Sequence, residues 1–236
     1  MRDVVPNIYR LEDLKRSNVY LLHFGENLAL IDSGMAADAD QIIEEIRNSG
    51  CDPERIQAIL ITHAHLDHAG SAPILAEEFG VDIYAHELEA PYLQKTASLP
   101  YQSWLKKAIF WLGERTVMKS PPCPVDQQLR DGDVIEDLSG LQVIHTPGHT
   151  PGSMSLYLPE SKVIFCGDLL FNMHPVTGKR GLRLSIPLVT VDKTQVLHSV
   201  RRLASMDVEK LCAGHGEPIM RRAGEELRKL LPEGPE

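Results

Sequence analysis

The sequence has no long apolar run and no paired cysteine pattern, and each absence excludes a class of protein. No stretch approaches the ~20 consecutive apolar residues of a membrane helix, and the N-terminus lacks the apolar core of a signal peptide. The four cysteines are widely spaced, which does not indicate a disulfide framework. These features predict a reduced, cytoplasmic protein without a membrane partner.

Cations are also scarce, which argues against a nucleic-acid partner. Aspartate and glutamate outnumber lysine and arginine by 33 to 24, so the net charge is −9. Binding to phosphates needs clustered cations, and the small cluster at Lys179, Arg180 and Arg183 does not reverse this balance. A chain of 236 residues with 43% hydrophobic content is typical of one globular domain. We therefore expect a single domain over residues 1–236 that acts on a small molecule.

The sequence does contain a dense group of metal-binding side chains. Residues 62–70 read Thr-His-Ala-His-Leu-Asp-His-Ala-Gly and follow an apolar segment. Side chains alternate faces in an extended segment, so His63 and His65 point the same way and can bind one ion. Asp67 and His68 come where the chain turns into a predicted helix, and they can face a neighbouring ion. Imidazole with carboxylate favours zinc, iron or manganese over calcium and magnesium.

Three later segments share one form, in which an apolar strand and a glycine present one candidate ligand. His149 lies on a Pro/Gly turn, Asp168 follows a Cys-Gly pair, and His215 stands between two glycines. A carboxylate between two cations can give one oxygen to each, so Asp168 is the candidate bridging ligand. Asp32 also ends a predicted strand, but we expect it to support a ligand or a turn. The seven candidates are His63, His65 and His149 for one metal, Asp67, His68 and His215 for the other, and Asp168 between them.

The ordered set of four motifs resembles the metallo-β-lactamase superfamily over nearly the whole chain. The resemblance implies an α/β fold: a four-layer αβ/βα sandwich of two mixed β-sheets flanked by helices, with the metals at one edge. Two zinc ions, or iron or manganese in their place, would share a water and lower its pKa towards neutrality. Asp67 is suited to orient that water and to carry a proton to the leaving group.

The resemblance predicts a hydrolase that cleaves an ester, thioester or lactone bond. Hydroxyacylglutathione hydrolases resemble the chain at every metal position. N-acyl homoserine lactonases share the seven ligands but usually carry a tyrosine where this chain has Phe171. Two alternatives stay open: a mononuclear non-haem iron enzyme resembling persulfide dioxygenases, and a non-catalytic metal-binding or sensor module.

One segment departs from a minimal sandwich. A helical insert at about 98–120 lies between the first two ligand motifs, and its apolar stripe includes both tryptophans, Trp104 and Trp111. The insert could pack on the core, cover the metal site or form the surface of a homodimer. Together with Phe171 and His174, which follow the bridging aspartate, the two tryptophans are the candidate substrate-binding residues.

Overall fold

Two mixed β-sheets pack face to face with helices on their outer faces, which confirms the predicted four-layer α/β sandwich. The computed structural model describes residues 1–12, 14–101, 103, 121–174 and 177–232. Most of the predicted insert, including Trp104 and Trp111, lies outside the described residues. None of the helices within those ranges is long and apolar enough to cross a membrane.

The first sheet has seven strands that lie side by side in chain order. They are β1 (Arg2–Val5), β2 (Ile8–Arg10), β3 (Tyr20–Phe24), β4 (Asn27–Ile31), β5 (Ile56–Ile61), β6 (Asp82–His86) and β7 (Gln127–Leu129). The first four strands pair antiparallel, and β4 to β7 pair parallel. Among the described residues of this half, four α-helices occur: α1 (Ala39–Asn48), α2 (Leu66–Ala69), α3 (Ala72–Phe79) and α4 (Ala90–Leu93).

The second sheet has five strands and carries the other two described helices. Its strands are β8 (Val134–Ile135), β9 (Leu141–His145), β10 (Met154–Leu158), β11 (Val163–Gly167) and β14 (Lys210–Ala213), in the order β14-β11-β10-β9-β8. A separate hairpin joins β12 (Leu170–Met173) to β13 (Arg180–Leu184). The helices are α5 (Lys193–Ala204) and α6 (Ala223–Lys229).

Strand β5 shows why the layers form. Its side chains alternate, so that Ile59 and Ile61 pack with α1 and α3 while Ala58 and Leu60 pack against the second sheet. A parallel strand covered on both faces therefore appears in the sequence as a continuous apolar run. Full burial of each such Ile or Leu contributes on the order of 1.5–3 kcal/mol.

The last helix is shorter than its apolar pattern predicts. Apolar and charged faces alternate over residues 219–231, which predicts a helix there, but the structure has one only at Ala223–Lys229. Ile219 instead forms an antiparallel bridge with Leu211 of β14. Its apolar side chain is partly buried against the core from this bridge. The spacing of apolar residues alone does not distinguish this position from the buried face of a helix.

Candidate metal centre

Loops that follow four strands meet at one edge of the sandwich. His63 and His65 follow β5, His149 follows β9, Asp168 directly follows β11, and His215 follows β14. Backbone hydrogen bonds join these strand ends: Met154 N–H donates to Thr62 O at 3.0 Å, and Gly214 N–H donates to Gly167 O at 2.8 Å. The edge is therefore held by main-chain contacts between and within the two sheets.

All seven predicted ligands come together in two adjoining groups. We call His63, His65 and His149 the three-histidine group, and Asp67, His68 and His215 the Asp67 group. With Asp168 added to the first, the potential ligand atoms within each group lie within 4.8 Å of one another. This partition is the one expected from the sequence.

Asp168 lies between the two groups. Its Oδ2 is 3.7 Å from His149 Nε2 and 3.2 Å from His215 Nε2. Its Oδ1 is 3.2 Å from His68 Nε2. Residue 214 must be glycine here, because a Cβ would collide with Asp168 Oδ1 and lie 2.6 Å from a ring carbon of His68. The Asp168 carboxylate is thus within reach of both groups: Oδ2 lies near histidines of each group, and Oδ1 lies near His68.

The donor atoms fit divalent metal ions. His63 Nε2, His68 Nε2 and Asp168 Oδ1 are buried, and in the described part of the chain none of them has a partner with good hydrogen-bond geometry, although His68 Nε2 and Asp168 Oδ1 lie 3.2 Å apart. Buried polar atoms are rarely left unpaired, because each costs free energy. His65 Nδ1 and His149 Nε2 also face each other at 2.8 Å. Nitrogen and carboxylate donors converging in this way suit zinc or iron.

The other ring nitrogen of each histidine is hydrogen bonded, which fixes the ring orientation. The pairs are His63 Nδ1 with Thr62 Oγ1 at 3.0 Å, His65 Nε2 with Tyr101 Oη at 2.8 Å, His149 Nδ1 with Ser185 Oγ at 2.7 Å, His68 Nδ1 with Asp32 Oδ2 at 2.7 Å, and His215 Nδ1 with Arg16 O at 2.7 Å.

Asp32 connects the two groups from behind. It accepts from Thr62 N–H at 2.8 Å and from the Thr62 hydroxyl at 2.9 Å, as well as contacting His68. Asp32 thus contacts a candidate ligand, as the sequence predicts, and its role in metal binding stays a prediction. Because the Thr62 hydroxyl donates to Asp32, it accepts from His63 Nδ1–H, which leaves His63 Nε2 unprotonated and able to bind a metal. Asp32 has a φ of 60°, a conformation that aspartate tolerates better than most residues.

The three-histidine group is neutral. Burial lowers the pKa of His63, His65 and His149. Mutual repulsion adds to this effect, since neighbouring histidines also lower the pKa of each ring. The neutral imidazole is the form that binds metal.

The Asp67 group has anionic surroundings. Burial acts to lower the pKa of His68, but Asp168, Asp32 and Asp67 outweigh it and raise that pKa well above its usual value. Burial likewise acts to raise the pKa of Asp168, yet His215 and His68 hold it well below its usual range. The carboxylate at the centre is therefore ionised, which suits a ligand shared by two cations.

The candidate substrate-binding residues differ in position. Phe171 is buried, and its ring stacks on His215 with centroids 5.1 Å apart. His174 is half-buried at the turn of the β12–β13 hairpin, where its Nδ1 accepts a bond from the turn backbone. Trp104 and Trp111 lie outside the described residues. Contact of these four side chains with substrate stays a prediction.

Two residues that orient candidate ligands have no signal in the sequence. Tyr101 is 36 positions from its partner His65, and Ser185 is 36 positions from His149. Both are buried. No local pattern could identify them, because a lone tyrosine or serine in a loop has no spacing relation to a distant histidine.

Known proteins resemble the chain along most of its length. The family model described as the metallo-beta-lactamase superfamily matches residues 13–215. The probable metallo-hydrolase YflN of Bacillus subtilis (strain 168) is 28% identical over 231 residues, which cover 92% of this chain and 86% of the relative. Hydroxyacylglutathione hydrolase GloC of Haemophilus influenzae is 31% identical over 150 residues, 62% of each protein.

Solved structures extend the likeness to three dimensions. The metallo-beta-lactamase family protein TTHA1429 from Thermus thermophilus superposes with a TM-score of 0.73 at 26% identity, covering 97% of this chain and 79% of that one. TTHA1623, solved in a di-iron-bound form, has a TM-score of 0.68 at 30% identity, with 95% and 98% coverage. That relative therefore holds two iron ions.

Proposed function

The chain belongs to the metallo-β-lactamase superfamily and is a metal-dependent hydrolase of that family, and from this premise we propose its reaction. The protein uses two divalent metal ions to cleave an ester, thioester or lactone bond of a small molecule. The observation that carries the proposal is the position of Asp168, whose two oxygens lie within 4 Å of histidine nitrogens from both groups.

Zinc is the proposed metal, with iron as the alternative. Histidine and carboxylate donors suit both metals. The di-iron form of TTHA1623 shows that a related fold holds iron, so the donor set alone does not select zinc. Metal analysis of the protein purified from cells grown with defined metals distinguishes the two.

The residues divide the work of hydrolysis. When bound, two such ions lower the pKa of a water to near neutrality and polarise the substrate carbonyl. The neutral three-histidine group and the ionised Asp168 hold one side of the centre. His68 and His215 complete the other side, and their outer nitrogens are fixed by Asp32 and the Arg16 carbonyl.

Asp67 is the residue suited to move a proton. Its side chain is 27% exposed, while that of His215 is only 7% exposed, and its Oδ2 lies 3.5 Å from His215 Nε2. A carboxylate at the boundary between the buried centre and solvent can orient the attacking water. It can then pass a proton to the leaving group.

Two other functions remain to be separated by experiment. A mononuclear iron dioxygenase would need only two histidines and one carboxylate, and a binding module would need no complete ligand set. The intact Asp67 group, with ligand atoms within 4.8 Å of one another, favours a second metal and therefore a hydrolase.

The test is a metal count combined with a substrate panel. We expect zinc-loaded protein with two equivalents of metal to hydrolyse at least one of a thioester, an aryl ester and a lactone, and chelator-treated protein to be inactive. Phosphodiesters and β-lactams serve as the negative arms. One iron with oxygen consumption, or two metals without hydrolysis of any ester-like bond, would contradict the proposal.

A further inference from the structure

A buried carboxylate that the proposed reaction does not use lies behind the three-histidine group. Glu89 immediately precedes α4 and is 0% exposed. Its Oε1 accepts from the N–H of Ala64 at 2.7 Å, and its Oε2 accepts from the N–H of Gly152 at 2.8 Å. The side chain of Thr150 donates to the same carboxylate.

These partners belong to the two loops that carry the three histidines. Ala64 lies between His63 and His65, and Gly152 lies three residues after His149. The first loop follows a strand of the first sheet, and the second connects two strands of the other sheet. One carboxylate thus joins the two loops across the sandwich.

The contact between Gly152 and the start of α4 is very close. A Cβ at position 152 would collide with the backbone nitrogen of Glu89 and lie 2.6 Å from the carbonyl carbon of Leu88. Only glycine lets the loop approach so near. The backbone of this loop is therefore fixed in position. If the hydrogen bond to Oε2 is lost, the loop cannot move closer to α4 to form another.

Burying this carboxylate costs free energy. The two backbone donors that face it explain why a carboxylate is nevertheless present. Within the described ranges no ion pair neutralises Glu89, and burial raises its pKa to about 7 although Thr150, Ala64 and Gly152 act to lower it. Above pH 7 the ionised carboxylate accepts at both oxygens, whereas a glutamine would turn an NH₂ group towards one of the two backbone donors. An apolar residue would leave both donors unpaired, at a cost for each.

We propose that Glu89 is a positioning residue that sets the geometry, and thereby the metal affinity, of the three-histidine group without contacting the metal. The inference rests on the proposed function, because it takes His63, His65 and His149 to bind one ion. Loss of one acceptor frees either the Ala64 loop or the Gly152 loop, so the three nitrogens no longer converge in a fixed arrangement.

The experiment measures metal binding rather than turnover. Metal-free wild type, Glu89→Gln and Glu45→Gln are titrated with cobalt(II), followed by the visible spectrum, and with zinc against a chromophoric chelator. Glu45 is the matched control: it is a buried glutamate of α1 that accepts from the N–H of Glu12 at 2.8 Å. The same titrations in the His68→Ala background identify which step belongs to the three-histidine group.

For Glu89→Gln we expect one of two binding steps to weaken about 10–100-fold, as for other groups that orient metal ligands. The cobalt spectrum of that step should change, the other step should stay within about threefold, and Glu45→Gln should alter neither. Glu89→Asp keeps two acceptor oxygens on a shorter side chain, so it should recover part of the loss. If Glu89→Gln does not fold, Glu89→Asp against wild type carries the same prediction with a smaller loss.

Three outcomes distinguish a failure of the positioning role of Glu89 from a failure of the proposed function. Unchanged affinities in Glu89→Gln would overturn the positioning role alone. Equal weakening of both steps, with unfolding of the metal-free protein at lower temperature, would show general structural damage and would also overturn it. Fewer than two ions bound by wild type would instead contradict the proposed function.

Discussion

The two groups of candidate ligands lie on either side of Asp168, yet they are held in different ways. Around the three-histidine group the outer ring nitrogens contact hydroxyls of Thr62, Tyr101 and Ser185. In the Asp67 group they contact the carboxylate of Asp32 and a backbone carbonyl. One set therefore relies on neutral partners, and the other lies among anions.

This difference indicates whether the cation affinity of each group depends mainly on geometry or on charge. Neutral imidazoles held by hydroxyls provide no negative charge of their own, so their affinity for a cation depends on convergent geometry. The Asp67 group has carboxylates on both sides of His68, so charge contributes directly to cation binding. We infer that small displacements damage the first group most and that loss of charge damages the second most.

The largest effect is expected where both groups meet. Asp168→Asn keeps the shape of the side chain but removes its charge and one acceptor, so both ions should bind poorly and turnover should fall by about 10³-fold or more. Turnover and metal content are measured together. Asp126→Asn is the control, because Asp126 accepts from a backbone N–H of β6 away from the centre. Near-normal turnover of Asp168→Asn with fewer than two ions would contradict a shared carboxylate.

The pH dependence of stability tests the burial of Glu89 behind the three-histidine group. The pKa of Glu89 rises from 4.5 to about 7 on folding. At a pH between these two pKa values, Glu89 holds a proton in the folded protein that it releases in the unfolded chain. The free energy of unfolding of the metal-free protein should therefore fall as pH rises from about 5 to 8, by up to about 3 kcal/mol from this group.

Urea unfolding of wild type and Glu89→Gln at both pH values measures this effect. The difference between the two proteins isolates Glu89, because all other titrating groups are common to both. The variant should lack this part of the pH dependence. An identical pH dependence in the two proteins would mean that Glu89 is not buried as a titrating group.

Removing charge from the anionic side should have a smaller, selective effect. Asp32→Asn weakens the charge that supports His68, so the ion of the Asp67 group should bind about 10–100-fold more weakly, and the other ion should lose less affinity because Asp32 reaches His63 only through Thr62. Tyr101→Phe removes a neutral partner of His65 and should affect the other ion instead. Zinc competition titrations compare the two variants. The same binding step weakened in both would remove the distinction between the groups.

The smallest effect is expected at Phe171. Phe171→Leu removes the ring that stacks on His215, a contact worth about 0.5–1.5 kcal/mol, so the ion of the Asp67 group should bind a few-fold more weakly. Phe165→Leu is the matched control, since Phe165 contacts Tyr20 in the core at 5.2 Å between centroids. Weaker metal binding in both variants to the same degree would trace the effect to general destabilisation.

The sequence predicts the ligands better than the residues that support them. The candidate ligands occur in short motifs after apolar strands. This pattern is local and therefore visible along the chain. Tyr101, Ser185 and Glu89 act through partners 25 to 63 positions away, and only the packing of the two sheets brings them together. Short elements are equally hard to predict: β2 has three residues, and β8 has two.

Metal counting on His63→Ala and His68→Ala beside wild type is the sharpest test of two separate metal sites. We predict two ions in wild type and one in each variant, because each substitution breaks one group and leaves the other intact. Cobalt spectra should differ between the variants, since the remaining ion has three histidines in one and mixed ligands in the other. Loss of both ions in parallel, or of neither, would contradict two separate sites that share Asp168.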